Sequence, residues 1–552
     1  MTFNTLKEVY DLSVAKFASK VVSTMHERET LTYTDFRERV ENLQKTLLEA
    51  GLSAGDKVAL LSSSMPNWTV SYFAVTTMGM IVVPILPGFS SEEFGMILTH
   101  SESKALLVSD RLYSKVPKEI INKLNIVVRT KNLGVIFRGG DFQPGTPAVP
   151  QPDDTAAIIY TSGTTSSPKG VMLSHRALAY QIEGASDLFP IDETDRFLSI
   201  LPMSHVYECS IGMLYPFALG ATVTYMDRPP TASALLPVMR DAKPTIMLSV
   251  PLVIDKIYRS QVLAKFTKNP VVRWFYGFAP IRRGLHRIAG KKLMKVFGGE
   301  LRFFGIGGAK LDPQTEQFLY EAKFPYAIGY GLTETAPLLA GKVPYKHAFS
   351  STGVRMKGVE LRIADPNSTG EGELQAKTPS VMQGYYKNPE ATAEAFTEDG
   401  WFRTKDSAII DEQGTVFIKG RMNSMLIGPS GENIYPEDIE SVLNSHTYVS
   451  ESIVTEEDGK LIALVRFDYD QIQLKYQELK GYINDKTDQM ARNLEEIADE
   501  VKKFVNERVA SFSRIAKIEE QAEEFEKTPS MKIKRFKYDR SKKNVATTKK
   551  TK

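Results

Sequence analysis

A stretch rich in glycine, serine and threonine lies between two short apolar segments and strongly limits what this chain can fold into. It runs from Tyr160 to Gly170 as Tyr-Thr-Ser-Gly-Thr-Thr-Ser-Ser-Pro-Lys-Gly. Small residues with hydroxyl groups allow backbone N–H groups to surround phosphate oxygens, and Lys169 adds a positive charge. The stretch therefore predicts a phosphate-binding loop between two strands. It is not a Walker A loop, because Pro168 stands where the second glycine is required, and the flanking strands argue against a flexible linker.

Short β-branched segments alternate with helical patterns over the first half of the chain. Strands are predicted at residues 58–61, 81–83, 105–108, 126–128, 158–160 and 221–224. Such alternation is typical of layered α/β folds with mostly parallel sheets, and the absence of a fixed-period repeat excludes solenoids and propellers. The uncharged stretch from residue 58 to 91 is interrupted by prolines, so we expect a strand, a buried helix over residues 68–80 and a second strand, and no membrane span.

Length and composition indicate a folded protein with several domains or lobes. The chain has 552 residues, of which 42% are hydrophobic and 24% charged, and this excludes a collagen, a coiled-coil rod and a wholly disordered chain. One cysteine, Cys209, excludes an internal disulfide framework and any zinc site built on several cysteines, and it suits a reducing compartment. The N-terminal residues lack the pattern of a secretory signal, so a cytoplasmic location is expected.

Positive charge is concentrated in two parts of the chain. The net charge is 69 − 66 = +3, but residues 527–552 hold 11 Lys and Arg with one acid, so the remainder carries 58 − 65 = −7. We read this tail as a solvated, disordered end rather than a contact for nucleic acid or anionic lipid, and expect no nucleic-acid partner.

The second basic part is residues 256–302, with 12 Lys and Arg and one acid, Glu300. Its aromatic residues are Phe266, Trp274, Phe275, Tyr276 and Phe278. Such a segment can make peripheral contact with an anionic membrane, on the inner face of the cell membrane, or shape the mouth of a lipid site. It can equally be a solvated helical insertion whose aromatic side chains are core, and both readings stay open.

Seven motifs occur in the order typical of the adenylate-forming superfamily, which the chain closely resembles. This superfamily includes acyl-CoA synthetases, luciferases and peptide-synthetase adenylation domains. After the phosphate loop come Leu-Pro-Met-Ser-His-Val-Tyr-Glu (201–208), Gly-Gly-Ala (307–309), Gly-Tyr-Gly-Leu-Thr-Glu-Thr (329–335), Arg-Thr-Lys-Asp (403–406), Gly-Arg-Met-Asn (420–423) and Lys-Thr-Pro-Ser-Met-Lys-Ile-Lys (527–534). The resemblance covers nearly the whole chain. It implies an α/β fold with a large N-terminal domain of layered α/β subdomains and a small, mobile α+β C-terminal domain.

The resemblance also implies a nucleotide site. Its ATP-binding residues would be Thr161, Ser162, Gly163, Thr164, Thr165, Gly308, Ala309, Gly329, Tyr330, Gly331, Thr333, Asp406 and Arg421. The residue types suit this role, because Tyr330 between glycines can offer its ring to a purine and Gly308 permits close backbone approach. Asp406 can accept hydrogen bonds from a ribose diol and Arg421 can donate to the sugar or a phosphate, although such a pair alone is more often a salt bridge.

Four further residues carry the chemistry that the resemblance implies. Glu334 offers hard oxygen atoms suited to Mg²⁺. Lys169 and Lys532 would be catalytic, with the ammonium group of Lys532 bridging the carboxylate and the transferring phosphoryl group. His205 could be a core histidine, but the resemblance implies that it positions the substrate carboxylate. One departure is Met531, where the family usually has glycine.

Composition changes near Arg421 and predicts a domain boundary there. The N-terminal adenylation domain is expected at residues 1–422 and the C-terminal lid domain at 423–552, with a hinge at Asn423 and Ser424. The Lys-acid pair that is common at this hinge is absent. Within the lid we expect a helix over residues 436–443, a strand at 461–467 and a charged helix at about 493–509. A loop with Ser430, Gly431 and Glu432 would face the thiol of coenzyme A.

These features predict ATP-dependent activation of a medium-chain or long-chain fatty acid to acyl-AMP, followed by transfer to coenzyme A. The preference for fatty acids comes from residues 256–302, which resemble the insertion of long-chain acyl-CoA synthetases. ATP, Mg²⁺ and coenzyme A are the implied cofactors and co-substrates. One alternative is an acyl- or aryl-adenylating enzyme that delivers to a carrier-protein thiol. The other is a nucleotide-binding, membrane-associated protein without turnover, which the retained motif residues argue against.

Overall fold

The computed structural model describes residues 2–161, 168–226, 231–267, 270–346, 348–427, 432–473, 488–528 and 532–540. The chain divides into two compact units. The large unit contains Met1–Ala364, Leu374–Thr404 and Ile410–Phe417, and the small unit contains Asp365–Glu373, Lys405–Ile409 and Ile418–Lys552. The boundary between residues 422 and 423 stays a prediction.

The described strands number 26. In chain order they are β1 (Val21–Met25), β2 (Glu29–Thr32), β3 (Lys57–Leu61), β4 (Ile81–Pro84), β5 (Ser103–Val108), β6 (Ile126–Arg129), β7 (Val135–Arg138), β8 (Thr155–Thr161), β9 (Lys169–Ser174), β10 (Arg196–Leu198), β11 (Thr222–Tyr225), β12 (Ile246–Ser249), β13 (Phe303–Ile306), β14 (Tyr326–Gly331), β15 (Leu338–Lys342), β16 (Val354–Arg355), β17 (Glu360–Ala364), β18 (Gly372–Lys377), β19 (Gly384–Tyr385), β20 (Phe402–Ile410), β21 (Val416–Arg421), β22 (Leu426–Ile427), β23 (Asn433–Ile434), β24 (Val449–Glu457), β25 (Lys460–Phe467) and β26 (Lys517–Glu520).

Helices of very different length connect these strands. They are α1 (Leu6–Lys16), α2 (Tyr33–Glu49), α3 (Pro66–Thr76), α4 (Ser91–His100), α5 (Asp110–Tyr113), α6 (Lys118–Ile121), α7 (His175–Leu188), α8 (Tyr215–Leu219), α9 (Ala232–Ala242), α10 (Pro251–Ile257), α11 (Ala264–Thr267), α12 (Pro270–Tyr276), α13 (Ala279–Val296), α14 (Pro313–Glu321), α15 (Pro389–Glu394), α16 (Pro436–Asn444) and α17 (Asp488–Asn506). Two π-helical segments, Glu208–Leu214 and Tyr258–Leu263, precede α8 and α11. No helix in the described part of the chain combines the length and the apolar character needed to cross a bilayer.

Two sheets form the frame of the large unit. A nine-stranded sheet has the order β16-β15-β14-β13-β12-β10-β11-β1-β2, and an eight-stranded sheet has the order β19-β9-β8-β4-β3-β5-β6-β7. The central pairs are parallel, such as β3 with β4 and β5, whereas β8 with β9 and β14 with β15 are antiparallel. The predicted α/β class with mostly parallel sheets is confirmed.

The stretch from residue 58 to 91 folds as predicted, into β3, α3 and β4. Residues 58–61 are fully buried, as expected for a central strand covered on both faces. Helix α3 begins at a proline, which suits the first helical position, and every one of its residues is buried. It ends at Thr76 rather than near residue 80, because the chain turns at Gly79, where φ is +74°.

The small unit contains a three-stranded sheet in the order β24-β25-β26, together with α16 and α17. Apolar side chains from these elements form its core: Ile439, Leu443, Val454, Ala463, Val465, Ile497, Val501 and Val505. The predicted helix, strand and charged helix of this unit are confirmed, although α17 begins earlier than expected and ends at Asn506. The Asn506 side chain exchanges two hydrogen bonds with the backbone of Ile515 and so ties the end of α17 to the following chain.

Candidate active site

The two strands beside the predicted phosphate loop form an antiparallel pair. Thr161 at the end of β8 is paired with Lys169 at the start of β9, so these two residues flank the loop at its base. Ser162, Gly163, Thr164 and Thr165 lie outside the described residues. The Nζ atom of Lys169 lies 5.1 Å from the centre of the Tyr385 ring, within the range of a cation–π contact.

Tyr385 connects Lys169 to the predicted metal ligand. Strand β19, which contains Tyr385, is antiparallel to β9 and places this residue opposite Val171. The Tyr385 hydroxyl donates to Oε1 of Glu334 at 2.9 Å, and the Tyr385 N–H donates to Oγ1 of Thr392 at 2.9 Å. Lys169, Tyr385 and Glu334 therefore form a continuous row of side chains, which we call the lysine–tyrosine–glutamate row.

A tight turn after β14 places Glu334 in this row. The turn needs Gly331, because a Cβ atom there would lie 1.8 Å from the Pro337 carbonyl oxygen. The Leu332 N–H donates to Oγ1 of Thr335 at 3.1 Å, and the Met382 N–H donates to the Glu334 carbonyl at 2.7 Å. The backbone on both sides of Glu334 is therefore held in place.

The donor set of this row suits a bound Mg²⁺ ion. Glu334 is half-buried. Its second oxygen, Oε2, accepts no hydrogen bond from the described residues. A hard carboxylate oxygen beside a phosphate loop is the ligand type that Mg²⁺ takes when it also holds nucleotide phosphates. Glu334 fits the predicted metal ligand on chemical grounds.

The Gly-Gly-Ala motif and the histidine motif meet at the end of β13. Gly308 has φ +84°, a conformation that favours glycine, and Gly308 and Ala309 are exposed. A Cβ atom at Gly307 would lie 3.2 Å from the Tyr207 ring, so Tyr207 packs directly on this motif. The Tyr207 N–H donates to Nδ1 of His205 at 3.3 Å, which brings His205 to the same edge of the sheet.

The predicted adenine-side residues gather at this edge as well. Strands β13 and β14 are parallel, and Ile306 is paired with Ile328. Because both strands end at the same edge, the residues that follow Ile306 lie beside Gly329 and Tyr330. The structure thus gathers Gly308, Ala309, Gly329, Tyr330, Gly331 and Thr333 with His205 in the large unit.

A buried carboxyl group next to this edge received no role in the sequence analysis. Oε1 of Glu208 accepts a hydrogen bond from the Ser199 hydroxyl, and Oε2 is buried without a partner among the described residues. Burial raises the pKa of Glu208 to about 8. Gly212, one turn along the π-helical segment, makes room for it, because a Cβ atom there would lie 2.7 Å from Cδ of Glu208. Glu208 is therefore mainly neutral at pH 7.

In the small unit, Asp406 and Arg421 form an ion pair. Nε of Arg421 lies 2.9 Å from Oδ1 of Asp406; the arginine is half-exposed and the aspartate is buried. The two residues lie on β20 and β21, neighbours in a four-stranded sheet with the order β17-β18-β20-β21. The two residues are paired with each other in the structure, and their binding to a ribose or phosphate stays a prediction.

Lys532 is exposed and belongs to the small unit. The Thr528 N–H donates to the Lys532 carbonyl at 2.6 Å, and the Lys532 N–H donates to Oγ1 of Thr528 at 3.1 Å. Ion pairs anchor the described chain before and after Lys532: Lys527 with Glu451, Arg535 with Glu437 and Glu440, Lys537 with Glu526, and Arg540 with Glu519. Met531 lies outside the described residues.

The predicted hinge and coenzyme A loop also belong to the small unit. Asn423 and Ser424 lie in a short 3-10 turn, and the Ser424 hydroxyl donates to Oε1 of Glu437 at 2.6 Å. In the loop, Glu432 is half-buried and described, whereas Ser430 and Gly431 lie outside the described residues. A hinge function is untested by this geometry and stays a prediction.

Comparison with known proteins identifies the family. A family model described as "AMP-binding enzyme" matches residues 11–386. The chain belongs to this family of AMP-binding enzymes. Among curated relatives, a Mycobacterium bovis protein named long-chain-fatty-acid–CoA ligase FadD15 is 30% identical over 76% of this chain and 74% of its own length. An Arabidopsis thaliana protein named long-chain-fatty-acid–[acyl-carrier-protein] ligase AEE15, chloroplastic, is 26% identical over 84% of this chain and 76% of its own.

The fold has close counterparts among solved structures. O-succinylbenzoate coenzyme A synthetase (MenE) from Bacillus subtilis, in complex with ATP and magnesium ion, superimposes with a TM-score of 0.74 over 96% of this chain and 98% of that chain, at 21% identity. The predicted fold class and the resemblance to the adenylate-forming superfamily are confirmed. Membership in the AMP-binding family supports an adenylate-forming ligase activity that uses ATP.

Tyr385 is the main residue that the sequence analysis missed. It lies outside the seven motifs, and its only signal in the sequence is the Gly-Tyr-Tyr run at residues 384–386, which offers aromatic rings without a charge. Its importance comes from the pairing of β19 with β9, a contact between residues more than 200 positions apart. Glu208 is the last residue of the motif at 201–208, but the sequence of that motif does not show that this acid is buried and neutral.

Proposed function

We propose that this protein joins a medium-chain or long-chain fatty acid to AMP, using Mg²⁺-ATP, and then transfers the acyl group to coenzyme A. The observation that carries the proposal is the lysine–tyrosine–glutamate row at the base of the phosphate loop. It combines a cation for phosphate oxygens, held at the start of β9, with a carboxylate for a metal ion, held by the turn after β14. AMP-binding family membership supports the same reaction type.

The chemistry needs two displacements. A carboxylate oxygen attacks the α-phosphorus of ATP, pyrophosphate leaves, and an acyl-adenylate forms. The thiol of coenzyme A then attacks the acyl carbon, and AMP leaves with the oxygen that joined the two groups. The protein orients the reactants and offsets negative charge. When bound, Mg²⁺ would neutralise charge on the phosphates.

Each predicted residue then has a defined task. Lys169 would contact phosphate oxygens throughout, and Glu334 would hold Mg²⁺ with its free oxygen while Tyr385 orients the other. His205 would position the carboxylate at the edge formed by Gly308. Lys532 would neutralise the charge that develops during the first displacement. Asp406, Arg421 and Tyr330 would bind the nucleoside.

An apolar acyl chain suits the segment that follows His205. The π-helical segment Glu208–Leu214 and most of α8 are buried among apolar side chains. Each methylene group that enters such surroundings contributes about 0.8 kcal/mol, so chain length can be selected by fit. The names of the Mycobacterium bovis and Arabidopsis thaliana relatives support a long-chain fatty acid.

The domain roles form part of the proposal. Residues 1–422 would bind ATP and the acid, and residues 423–552 would act as a mobile lid that moves at Asn423 and Ser424. The Ser430, Gly431 and Glu432 loop would face the thiol. We also propose a cytoplasmic location, which the lone, buried Cys209 supports.

A second candidate acceptor is a carrier-protein thiol, favoured by the name of the Arabidopsis thaliana relative. The experiment is acid-dependent exchange of pyrophosphate into ATP, measured with short, medium and long fatty acids and with aryl acids. Exchange that rises with fatty acid chain length supports the proposal, and exchange with aryl acids alone contradicts it. Thioester formation with free coenzyme A, compared with a phosphopantetheinylated carrier protein, then identifies the acceptor.

A further inference from the structure

The basic segment of residues 256–302 presents an exposed group of aromatic side chains. Trp274 is 63% exposed, Phe275 44% and Phe278 48%. The Trp274 ring meets each of the two phenylalanines edge to face, with ring centres 4.9 Å apart in both pairs. Val271 and Ile281, which are also exposed, extend this surface. We call these five residues the aromatic patch.

Other aromatic residues of the same segment are packed inward. Tyr276 stacks on Phe266, with ring centres 5.7 Å apart, and the Tyr276 hydroxyl lies 2.6 Å from Nε2 of His286. His286 is 1% exposed, and its Nδ1 lies 2.7 Å from Oε2 of Glu321. Arg282 binds the same carboxylate at 2.9 Å. This network joins α12 and α13 to α14, so the aromatic patch projects from an anchored base.

Helix α13, which follows the aromatic patch in the chain, carries a series of exposed cations. They are Arg283, Arg287, Lys291, Lys292 and Lys295. Ile281, Ile288 and Lys295 follow at intervals of seven and Lys292 is one turn from Ile288, so these four side chains lie along one side of this helix. Among the described residues, no carboxylate lies within ion-pair distance of Arg287, Lys291, Lys292 or Lys295. Their charge is available to an external partner.

We propose that the aromatic patch and the basic side of α13 form a docking surface for an anionic lipid bilayer. Tryptophan and phenylalanine rings suit the headgroup region of a bilayer, and clustered lysine and arginine side chains bind its anionic lipids. The segment carries 12 basic residues against one acid, which matches a surface of many anions. The helices lie on the bilayer and do not cross it.

The test is flotation of the full-length protein with vesicles of phosphatidylcholine alone or mixed with phosphatidylglycerol. We expect binding only to the mixed vesicles, weakened by salt. A Lys291→Gln, Lys292→Gln, Lys295→Gln variant should bind about a hundredfold more weakly, at about fivefold for each basic residue near the surface. The matched control, Lys16→Gln, Arg37→Gln, Lys45→Gln, removes exposed charges elsewhere and should bind like wild type.

The aromatic part of the surface has its own readout. Bromine on the acyl chains should quench tryptophan fluorescence of the bound protein, and the Trp274→Phe variant should still bind while losing most of that quenching. A Trp274→Ala, Phe278→Ala variant should bind at least tenfold more weakly than the control Leu12→Ala, Val149→Ala. Unchanged pyrophosphate exchange in these variants shows that they are folded.

Three results would overturn the proposal. The first is equal binding to neutral and mixed vesicles. The second is binding that survives the charge and aromatic variants and is lost only when residues 541–552 are removed. The third is a change from dimer to monomer in the aromatic variant with unchanged vesicle binding, because the patch would then be a contact between two copies of the chain.

Discussion

Lys169 in the large unit and Lys532 in the small unit are both proposed to neutralise phosphate charge, but the chain holds them differently. Lys169 begins β9, is paired with Thr161 on the neighbouring strand β8, and lies against the Tyr385 ring. Lys532 is exposed, and side-chain ion pairs anchor the chain next to it. We propose that Lys169, which the sheet fixes, serves both steps, and that Lys532 acts in the first step alone.

The largest expected effect comes from removing the Lys532 side chain. In Lys532→Ala we expect acyl-adenylate formation to fall about a thousandfold, the upper range for losing one group that stabilises developing charge. Thioester formation from supplied acyl-adenylate should stay within twofold of wild type, because that step moves no phosphoryl group. Single-turnover measurement of the two half-reactions checks this.

The control for this variant is Lys534→Ala, two residues further along the same segment. It removes one positive charge and leaves the hydrogen bonds between Thr528 and Lys532 in place, so both half-reactions should stay near wild type. Equal losses in both half-reactions of Lys532→Ala would remove the distinction between the two lysines.

The next largest effect concerns Glu334 in the lysine–tyrosine–glutamate row. Glu334→Gln should weaken the use of Mg²⁺-ATP about a hundredfold, since an amide is a much poorer ligand for Mg²⁺ than a carboxylate. The measurement is the rate of pyrophosphate exchange as a function of Mg²⁺ concentration. An unchanged Mg²⁺ dependence would exclude Glu334 from the metal site.

Tyr385→Phe should have a smaller effect on the same row. It removes the hydroxyl that donates to Glu334 and keeps the ring beside Lys169. Losing one such hydrogen bond costs about 1 kcal/mol, which corresponds to about a fivefold rise in the KM for Mg²⁺-ATP. Tyr385→Leu removes the ring as well and should cost more. Identical kinetics for wild type and both variants would show that the row has no part in nucleotide binding.

The smallest expected effect comes from the ion pair between Arg535 and Glu440, which anchors the chain after Lys532. Burial raises the pKa of Glu440 to about 7, so this partner of Arg535 is increasingly protonated below pH 7 and the ion pair is lost. Adenylation by wild type should fall about threefold more between pH 8 and pH 6 than adenylation by Glu440→Gln, whose side chain is neutral throughout. Parallel pH profiles of the two proteins would contradict the anchoring role.

The Glu440 carboxyl group affects stability in the opposite direction: lowering the pH reduces activity but increases the stability that this group contributes. Its pKa is higher in the folded protein than the ordinary value near 4.5, so the folded state binds the proton more tightly than the unfolded state. Its contribution to the free energy of unfolding therefore decreases as pH rises from about 4.5 to 7. Urea titrations of wild type and Glu440→Gln across this range should show this decrease in wild type alone.

The comparison of the two lysines also explains what the sequence could predict. The phosphate loop, β3, α3, β4 and the ordered motifs are local patterns, and local patterns indicated the fold class, the family and most candidate site residues. Lys169 and Lys532 were both found in this way. Their different settings depend on contacts between distant positions, such as Tyr385 with Glu334 and Arg535 with Glu440, and a single sequence does not contain these pairings.

Burial limited prediction in a similar way. Trp274 and Tyr276 are two residues apart in one aromatic run, yet Trp274 is exposed and Tyr276 is packed against His286. Composition left a membrane surface and a core insertion open for this segment, because neither residue type nor spacing decides which ring faces inward. The packing of α12 and α13 against α14 decides it.

The central claim is that a carboxylate oxygen attacks the α-phosphorus of ATP. The most direct measurement follows that oxygen, with a long-chain fatty acid labelled with ¹⁸O in both carboxylate positions, ATP, Mg²⁺ and coenzyme A. The proposed reaction predicts AMP that carries one ¹⁸O atom for each thioester formed, and unlabelled pyrophosphate. Unlabelled AMP, or ADP together with ¹⁸O-labelled inorganic phosphate, would contradict the account, because the acyl group would then have been activated without passing through an acyl-adenylate.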